Sequence, residues 1–327
     1  MYGLINLELS RKCGRLGDTQ YTDPNVICYN PCAEQSLENF ESCCLSEIYL
    51  PKINTKKELY KVAGYLYKIC KHSLAIPCQI KETEDIVHKN MRMGIGVTGL
   101  LQATDEQRSW LSDCYNYLRK LDKEYSAARG WPESIKLTTS KPSGTLSLLP
   151  DVTPGIHPAP AGPYYIRRMR ISAESPLLNV CVKNGYFVEY ARGFNGDIDP
   201  TTMVVEFPCM VPEGTPIGDQ LGAIEHLEWI KWLQTNWSDN SVSCTVYYKK
   251  EELPAIKEWL EKNFTDSLKT VSFLLYSGHG FDQAPYETIS KEIYEELIAK
   301  VKPITSITVD ESDFDLQDCD NGACPIK

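Results

Sequence analysis

Apolar positions take up a helical period after Thr55. Leu59, Val62, Ala63, Leu66 and Cys70 fall on one face, and Thr55 with Glu58 has the spacing of a capping box at its start. A second helical stretch over about 106–129 turns Trp110, Leu111, Cys114, Leu118, Leu121 and Tyr125 inward and ends at Gly130. Beyond it, short β-patterned runs alternate with helical ones. The runs are 135–139, 164–171, 204–207, 242–248 and 271–275, and the helices lie near 175–184, 217–234, 251–263 and 288–301. Such alternation predicts an α/β fold with a largely parallel sheet. From about Ile304 the chain turns acidic and loses its period. The expected division is therefore a folded body over 1–303 and a mobile arm over 304–327.

The 327 residues, 42% of them hydrophobic, suffice for a large core. Net charge is −10, which argues against a nucleic-acid polymer or an anionic membrane as partner, since both need clustered Lys and Arg. A single nucleotide stays possible, because backbone N–H groups can hold its phosphates. No apolar run approaches the roughly 18 residues that span a bilayer, and the first residues lack the apolar core of a signal peptide. The expected location is the cytoplasm, where thiols stay reduced. Thirteen cysteines fit that better than a disulfide scaffold, and Cys70, Cys114, Cys181 and Cys244 read as core residues. No C-x-x-C pair occurs and the five histidines are scattered, so no zinc spacing is present.

Four stretches carry candidate chemistry. In "NPCAE", Pro31 blocks a helix, and an extended segment would set Asn30, Cys32 and Glu34 on one face. An amide, a thiol and a carboxylate together suit thiol chemistry on a hydroxylated substrate. The same five residues also suit a loop with one buried cysteine and two solvated polar groups. "TTSKPSGTLSLLP" leads from a strand into small residues with free N–H groups. It reads either as an anion site over Pro142, Ser143, Gly144, Thr145 and Leu146 or as a serine-capped helix start. "MRMGIGVTGLL" imitates a G-x-G-x-x-G fingerprint, but no strand pattern precedes it, and close backbone packing is the expectation. At the end, "DCDNGACPIK" holds Cys319 and Cys324 with Gly322 between them, a spacing suited to thiol–disulfide exchange.

Taken in order, "GLINLELSRKCGR", "NPCAEQSL", "RMGIGVTGLL", "KPSGTLSLLPDVTPGIHPAPAGPYYIRRMRI", "SDNSVSCTVYY", "QAPYE" and "CDNGACPIK" resemble the C-terminal half of a ribonucleotide reductase catalytic subunit. The likeness is strongest to the class II, adenosylcobalamin-dependent, ribonucleoside-triphosphate type. It implies the second half of a ten-stranded α/β barrel with a central finger loop. It also implies radical reduction of ribonucleotides to 2′-deoxyribonucleotides. By motif, Cys32 would carry the thiyl radical that takes the ribose 3′ hydrogen, Glu34 would be the base at the 3′ hydroxyl, and Asn30 would hold the substrate hydroxyls. Cys43, eleven residues after Cys32, would be one of two cysteines that supply reducing equivalents. "PSGTLS" would bind the substrate phosphates, and Cys319 with Cys324 would re-reduce the active site and exchange with a thioredoxin-like donor. A flexible arm of about 15 residues averages roughly 20 Å and reaches about 50 Å, enough to enter a barrel mouth.

The resemblance also sets limits. The family's catalytic subunits are about twice this length or more, which implies an N-terminal half outside this sequence that supplies the partner of Cys43, either on a separate chain, as the product of a split gene, or as the rest of a longer protein of which this is one half. Ala33 stands where glycine is usual and Cys44 where asparagine is usual. A class I subunit, fed by a metal-radical small subunit, would carry a late adjacent tyrosine pair; Tyr247-Tyr248 comes earlier, in the "SVSCTVYY" run. A class III enzyme would carry a glycine loop where the terminal cysteine pair stands. Other readings are a class I fragment, a non-catalytic module that retains the fold, and a simple thiol oxidoreductase.

Overall fold

The computed structural model describes residues 2–193, 195–218, 220–276 and 282–305. The chain folds as two compact units, Met1–Pro160 with Gly214–Ser277 and Ala161–Glu213 with Gly278–Lys327.

The first unit is built on parallel pairing. Strand Leu45–Tyr49 lies beside Gly94–Thr98, which lies beside Thr138–Thr139, both pairs parallel. Helices supply the crossovers. Lys56–Leu74 starts where the sequence places it, since the Thr55 hydroxyl accepts from the Glu58 N–H at 3.1 Å. Glu58 in turn accepts from the N–H of Asn54 rather than that of Thr55, which moves the expected reciprocal cap by one residue. The stretch expected as one helix over 106–129 is two, Asp105–Ser109 and Leu111–Ala127. Thr104 and Gln107 form a capping box on the short first piece, and Gly130 follows the second at φ +66°, a conformation open to glycine without a Cβ clash.

A second sheet pairs Thr245–Tyr248 parallel with Thr270–Leu275, and the latter antiparallel with Tyr2–Ile5. A single parallel bridge between Ser140 and Val242 connects the two sheets. Six strands thus follow one another sideways, with Leu45–Tyr49 and Tyr2–Ile5 outermost. Gly94 is needed in this arrangement. A Cβ there would stand 2.7 Å from Leu45 Cδ2 and 2.9 Å from Thr139 Cγ2. The glycine-rich stretch is a packed central strand, as its reading as close packing anticipates.

One core serves this unit. Leu59, Ala63, Tyr67 and Cys70 meet Leu111, Cys114, Tyr115 and Leu118 from the neighbouring helix, with Ile95, Val97 and Trp237 beneath. Lys71 and Asp122 pair at 2.9 Å within it, both essentially without solvent contact. Tyr67 and Ser134 donate to the same carboxylate, so the buried charges are saturated with hydrogen bonds.

The second unit departs from the expectation of a largely parallel sheet. Its four strands run Tyr286–Ile289, Tyr164–Ser172, Ile198–Met210 and Phe187–Arg192, and every pair is antiparallel. Arg168 ties three of them through Glu206 at 2.7 Å and Glu287 at 2.5 Å. The run read as 204–207 is 13 residues long. Pro200 and Pro208 hid its length, because proline cannot donate to a ladder. Pro200 falls at a bulge opposite Tyr190 and Ala191, and Pro208 lies beyond the last pairing with Phe187–Arg192. Each therefore sits where one flanking ladder is missing. Leu178, Cys181 and Val205 form the small core of this unit. Cys70, Cys114, Cys181 and Cys244 are all buried.

Candidate active site

Strands Cys28–Tyr29 and Ser36–Leu37 pair antiparallel, with Cys28 opposite Leu37 and Tyr29 opposite Ser36. Residues 30–35 close the hairpin, and "NPCAE" lies in that loop. The segment is not extended, contrary to the expectation of one shared face. The Ala33 N–H donates to the Asn30 carbonyl at 2.8 Å, and Ala33 sits at φ +60°. Pro31, which cannot adopt that geometry itself, precedes the bend. The left-handed conformation at Ala33 costs about 1–2 kcal/mol for a residue with a Cβ, which gives a physical reason for glycine at this position.

The loop is held by its own carbonyl oxygens. Ser243 Oγ donates to the Cys32 carbonyl, Thr270 Oγ1 donates to that of Ala33 at 3.3 Å, and Thr139 Oγ1 with the Ser241 N–H donates to that of Glu34 at 2.6 and 3.2 Å. Thr139 and Thr270 belong to strands of the two different sheets. The loop tip is therefore anchored across their junction. "SDNSVSC" carries much of this. Asp239 accepts from the N–H groups of Leu137 and Thr138 and pairs with Arg119 at 2.6 Å, Asn240 donates to the carbonyls of Met93 and Thr138, and Ser241 and Ser243 reach the loop.

The base of the hairpin is fixed as firmly. Arg92, buried to 1% exposure, pairs with Asp23 on one side and with Glu41 at 2.9 Å on the other, and donates to Ser36 Oγ at 3.1 Å. Asn90 donates to Glu38 and Glu41 at 3.0 Å. The segment that enters the central strand Gly94–Thr98 thus also roots the hairpin.

Cys32 is exposed at the tip, whereas Glu34 is 2% exposed. Partial desolvation, followed by the nearby Glu34 carboxylate and Cys43 thiol, raises the pKa of Cys32 above the ordinary thiol value, and Lys141 pulls the other way. Cys32 is accordingly a protonated thiol at neutral pH, a hydrogen-atom donor rather than a nucleophile. Glu34 Oε2 is buried and has no hydrogen-bond partner among the described residues. A buried carboxylate oxygen left open is costly, and a substrate hydroxyl would satisfy it. Asn30 is mostly buried, and its Oδ1 accepts from the Gln35 N–H at 3.0 Å. Its side chain braces the loop. Cys43 is exposed and near Cys32.

The expected phosphate loop lacks the helix that its alternative reading supposed. Only a 3-10 turn, Leu146–Leu148, follows it. The N–H groups of Gly144, Thr145 and Leu146 donate to no backbone carbonyl of the described residues. Pro142 is half-buried, and Ser143 is buried and donates to Glu47, which Lys141 approaches at 3.7 Å. Glu47 also accepts from Thr98 Oγ1. This carboxylate links the middle of its own strand to the end of Gly94–Thr98 and to the segment after Thr138–Thr139, and sequence reasoning missed it because its partners lie 51, 94 and 96 residues away. Cys319 and Cys324 fall outside the described residues. No helix among the described residues is long and apolar enough to cross a membrane.

No family model matches the chain. It is similar to an adenosylcobalamin-dependent ribonucleoside-triphosphate reductase of Euglena gracilis, 35% identical over 323 residues that cover 94% of this chain and 43% of the relative. An enzyme of the same description from Lacticaseibacillus paracasei is 32% identical over 376 residues, covering 99% and 49%. The chain thus spans less than half the length of the curated relatives it matches. A crystal structure of a B-12-dependent, class II, ribonucleotide reductase superposes with a TM-score of 0.82 at 29% identity, over 93% of this chain and 46% of the other. The alpha subunit of a class Id ribonucleotide reductase from Actinobacillus ureae, with a TM-score of 0.56 at 14% identity over 85% of this chain and 58% of the other, shares the fold.

Proposed function

We infer that this chain, homologous to the class II ribonucleotide reductases over 94–99% of its length, is the C-terminal part of such an enzyme and carries its radical-bearing loop. The reaction is reduction of a ribonucleotide to the 2′-deoxyribonucleotide. One observation carries the reading: an exposed, protonated thiol at Cys32 stands two residues from a buried carboxylate whose Oε2 has no partner.

Each residue then has a task. Cys32, as a thiyl, takes the hydrogen at the ribose 3′ carbon, and the anchorage of three successive loop carbonyls by four donors keeps the sulfur from drifting. Glu34 Oε2 accepts the proton of the 3′ hydroxyl. Asn30 Nδ2 donates to a substrate hydroxyl while Oδ1 holds the turn. Cys43 and a second thiol from outside this chain close to a disulfide, and the two electrons and two protons they release carry the 2′ oxygen away as water and leave a hydrogen on the 2′ carbon. A thiyl survives only where water and other reductants are excluded. The open N–H groups of Gly144, Thr145 and Leu146, with Pro142 shaping the turn, would receive phosphate oxygens, and the phosphate would compete with Glu47 for Ser143 and Lys141. Cys319 and Cys324 would return electrons from a thioredoxin-like donor.

The cofactor of this reading is adenosylcobalamin, and it fits the chain at Cys32, a neutral thiol able to give up a hydrogen atom without first losing a proton. When bound, the cofactor supplies the one-electron oxidation that makes the thiyl. Six strands in sideways succession, with outer edges that pair with nothing among the described residues, suit part of a ten-stranded barrel, and unpaired edges call for further strands. Leu149, at 81% exposure, and the exposed Leu146 and Leu148 add apolar surface next to the phosphate loop. The N-terminal half, on a separate chain, would cover both.

Cofactor dependence tests the reading. Assembled with the complementary N-terminal half, the chain should form deoxyribonucleotides only when adenosylcobalamin is added. Equal turnover without it, restored instead by an iron or manganese protein, would favour the class I alternative.

A further inference from the structure

The loop over Pro142–Leu146 already has a carboxylate against it. Glu47 lies in strand Leu45–Tyr49, and its side chain is 4% exposed. Its two oxygens face different partners. Oε1 accepts from the hydroxyl of Thr98, a residue without solvent exposure on the neighbouring strand Gly94–Thr98. Oε2 accepts from the Ser143 hydroxyl and lies 3.7 Å from Lys141 Nζ. One oxygen is tethered to the sheet, and the other stands against two side chains that a phosphate would use.

Both partners are fixed in place at their backbones. Gly155, at φ +54°, comes so close that a Cβ there would stand 2.1 Å from the Lys141 carbonyl oxygen, and a Cβ on Gly96 would meet the Lys141 stem at 3.5 Å. Ser143 sits at φ +37°, and its carbonyl accepts from the Ser147 N–H at 3.1 Å. The ammonium of Lys141 is held less tightly than its backbone. A charge-assisted hydrogen bond spans about 2.8 Å, and the Lys141–Glu47 separation exceeds that, with 17% of the Lys141 side chain exposed.

We propose that Glu47 is a resident competitor for phosphate: its Oε2 occupies the Ser143 hydroxyl and the Lys141 ammonium in the free chain, and a phosphorylated ligand binds by displacing it from both. The inference deepens the phosphate reading of residues 142–146 and rests on it. The physical reason is that a serine hydroxyl has one proton to donate, while carboxylate and phosphate oxygens are both acceptors. The two anions cannot share Ser143, and their charges repel at this range. Thr98 keeps the displaced carboxylate close by, so it returns when the ligand leaves. Glu47 therefore weakens the hold on substrate and product alike and hastens product release. It is a positioning residue of the loop and touches no reacting atom.

The test is calorimetric titration of the full chain with inorganic pyrophosphate. Glu47→Gln keeps the size of the side chain and removes its charge. It should bind pyrophosphate about tenfold more tightly than the wild type, the scale of one hydrogen bond to a charged group. A side chain that merely builds the loop would give the opposite sign, since its loss would loosen Ser143. In a Lys141→Met background the same substitution should gain less than about threefold, because the two residues act on one another. Should Glu47→Gln not fold, Glu47→Asp, which draws the carboxylate back from Lys141 by one methylene, should also bind more tightly. Equal or weaker binding by the Glu47 variants, or an undiminished gain without Lys141, would overturn the competitor while leaving the phosphate loop standing. No pyrophosphate binding by the wild type or any variant would remove the phosphate reading and this inference together.

Discussion

Replacing Cys32 by alanine should abolish deoxyribonucleotide formation in the assembled enzyme, with an expected loss of about 10⁴-fold or more, the scale on which deleting a reacting side chain acts. The reason is local. No other thiol shares the loop tip, and in the proposed reaction Cys43 is spent as reductant in the same turnover and so does not substitute. Substrate affinity should change little, because Asn30, Glu34 and the phosphate loop remain. Equilibrium dialysis of the nucleotide against the variant, alongside turnover, separates the two effects. Alanine is a mild change for an exposed side chain, and the loop keeps its carbonyl anchors to Ser243, Thr270, Thr139 and Ser241. Retained turnover in Cys32→Ala would remove the radical assignment.

Arg92→Ala should cost about 3–5 kcal/mol of folding stability, the usual effect of breaking a buried ion pair from one side. Two carboxylates, Asp23 and Glu41, would be left buried and uncompensated; both are 0–1% exposed at their side chains. Urea unfolding of the chain reads the loss as a lower midpoint. Limited proteolysis should find new cleavage between residues 28 and 41, because the hairpin loses its root before the sheet does. A shift under about 1 kcal/mol would mean that water or side-chain rearrangement already shields the two carboxylates.

The helices were legible from periodicity where their signals are local. Thr55 caps, Leu59 to Cys70 bury, and Gly130 ends its helix at positive φ, all within a few residues of one another. The break at Trp110 was not legible, since the apolar face runs straight through it and only the Thr104–Gln107 cap marks a separate turn. The site was legible in its residue types and not in its shape. "NPCAE" holds the residue types of the proposed chemistry, but the extended reading fails because the Ala33-to-Asn30 hydrogen bond makes a tight turn. What holds that turn comes from residues 105 to 237 positions away, and a pattern search along the chain cannot see such pairings. Glu47, Asp239 and Ser243 were missed for this reason. The antiparallel second unit was missed for another, as Pro200 and Pro208 interrupt its longest strand at places the missing partner ladder forgives.

The central claim is that Cys32 removes the hydrogen from the ribose 3′ carbon. A ribonucleotide bearing deuterium at that carbon, turned over by the assembled enzyme with adenosylcobalamin, tests it most directly. The account predicts that the labelled substrate reacts more slowly than the unlabelled one when the two compete for the same enzyme, because a bond to the label breaks. Identical rates for both, with normal product formation, would contradict it.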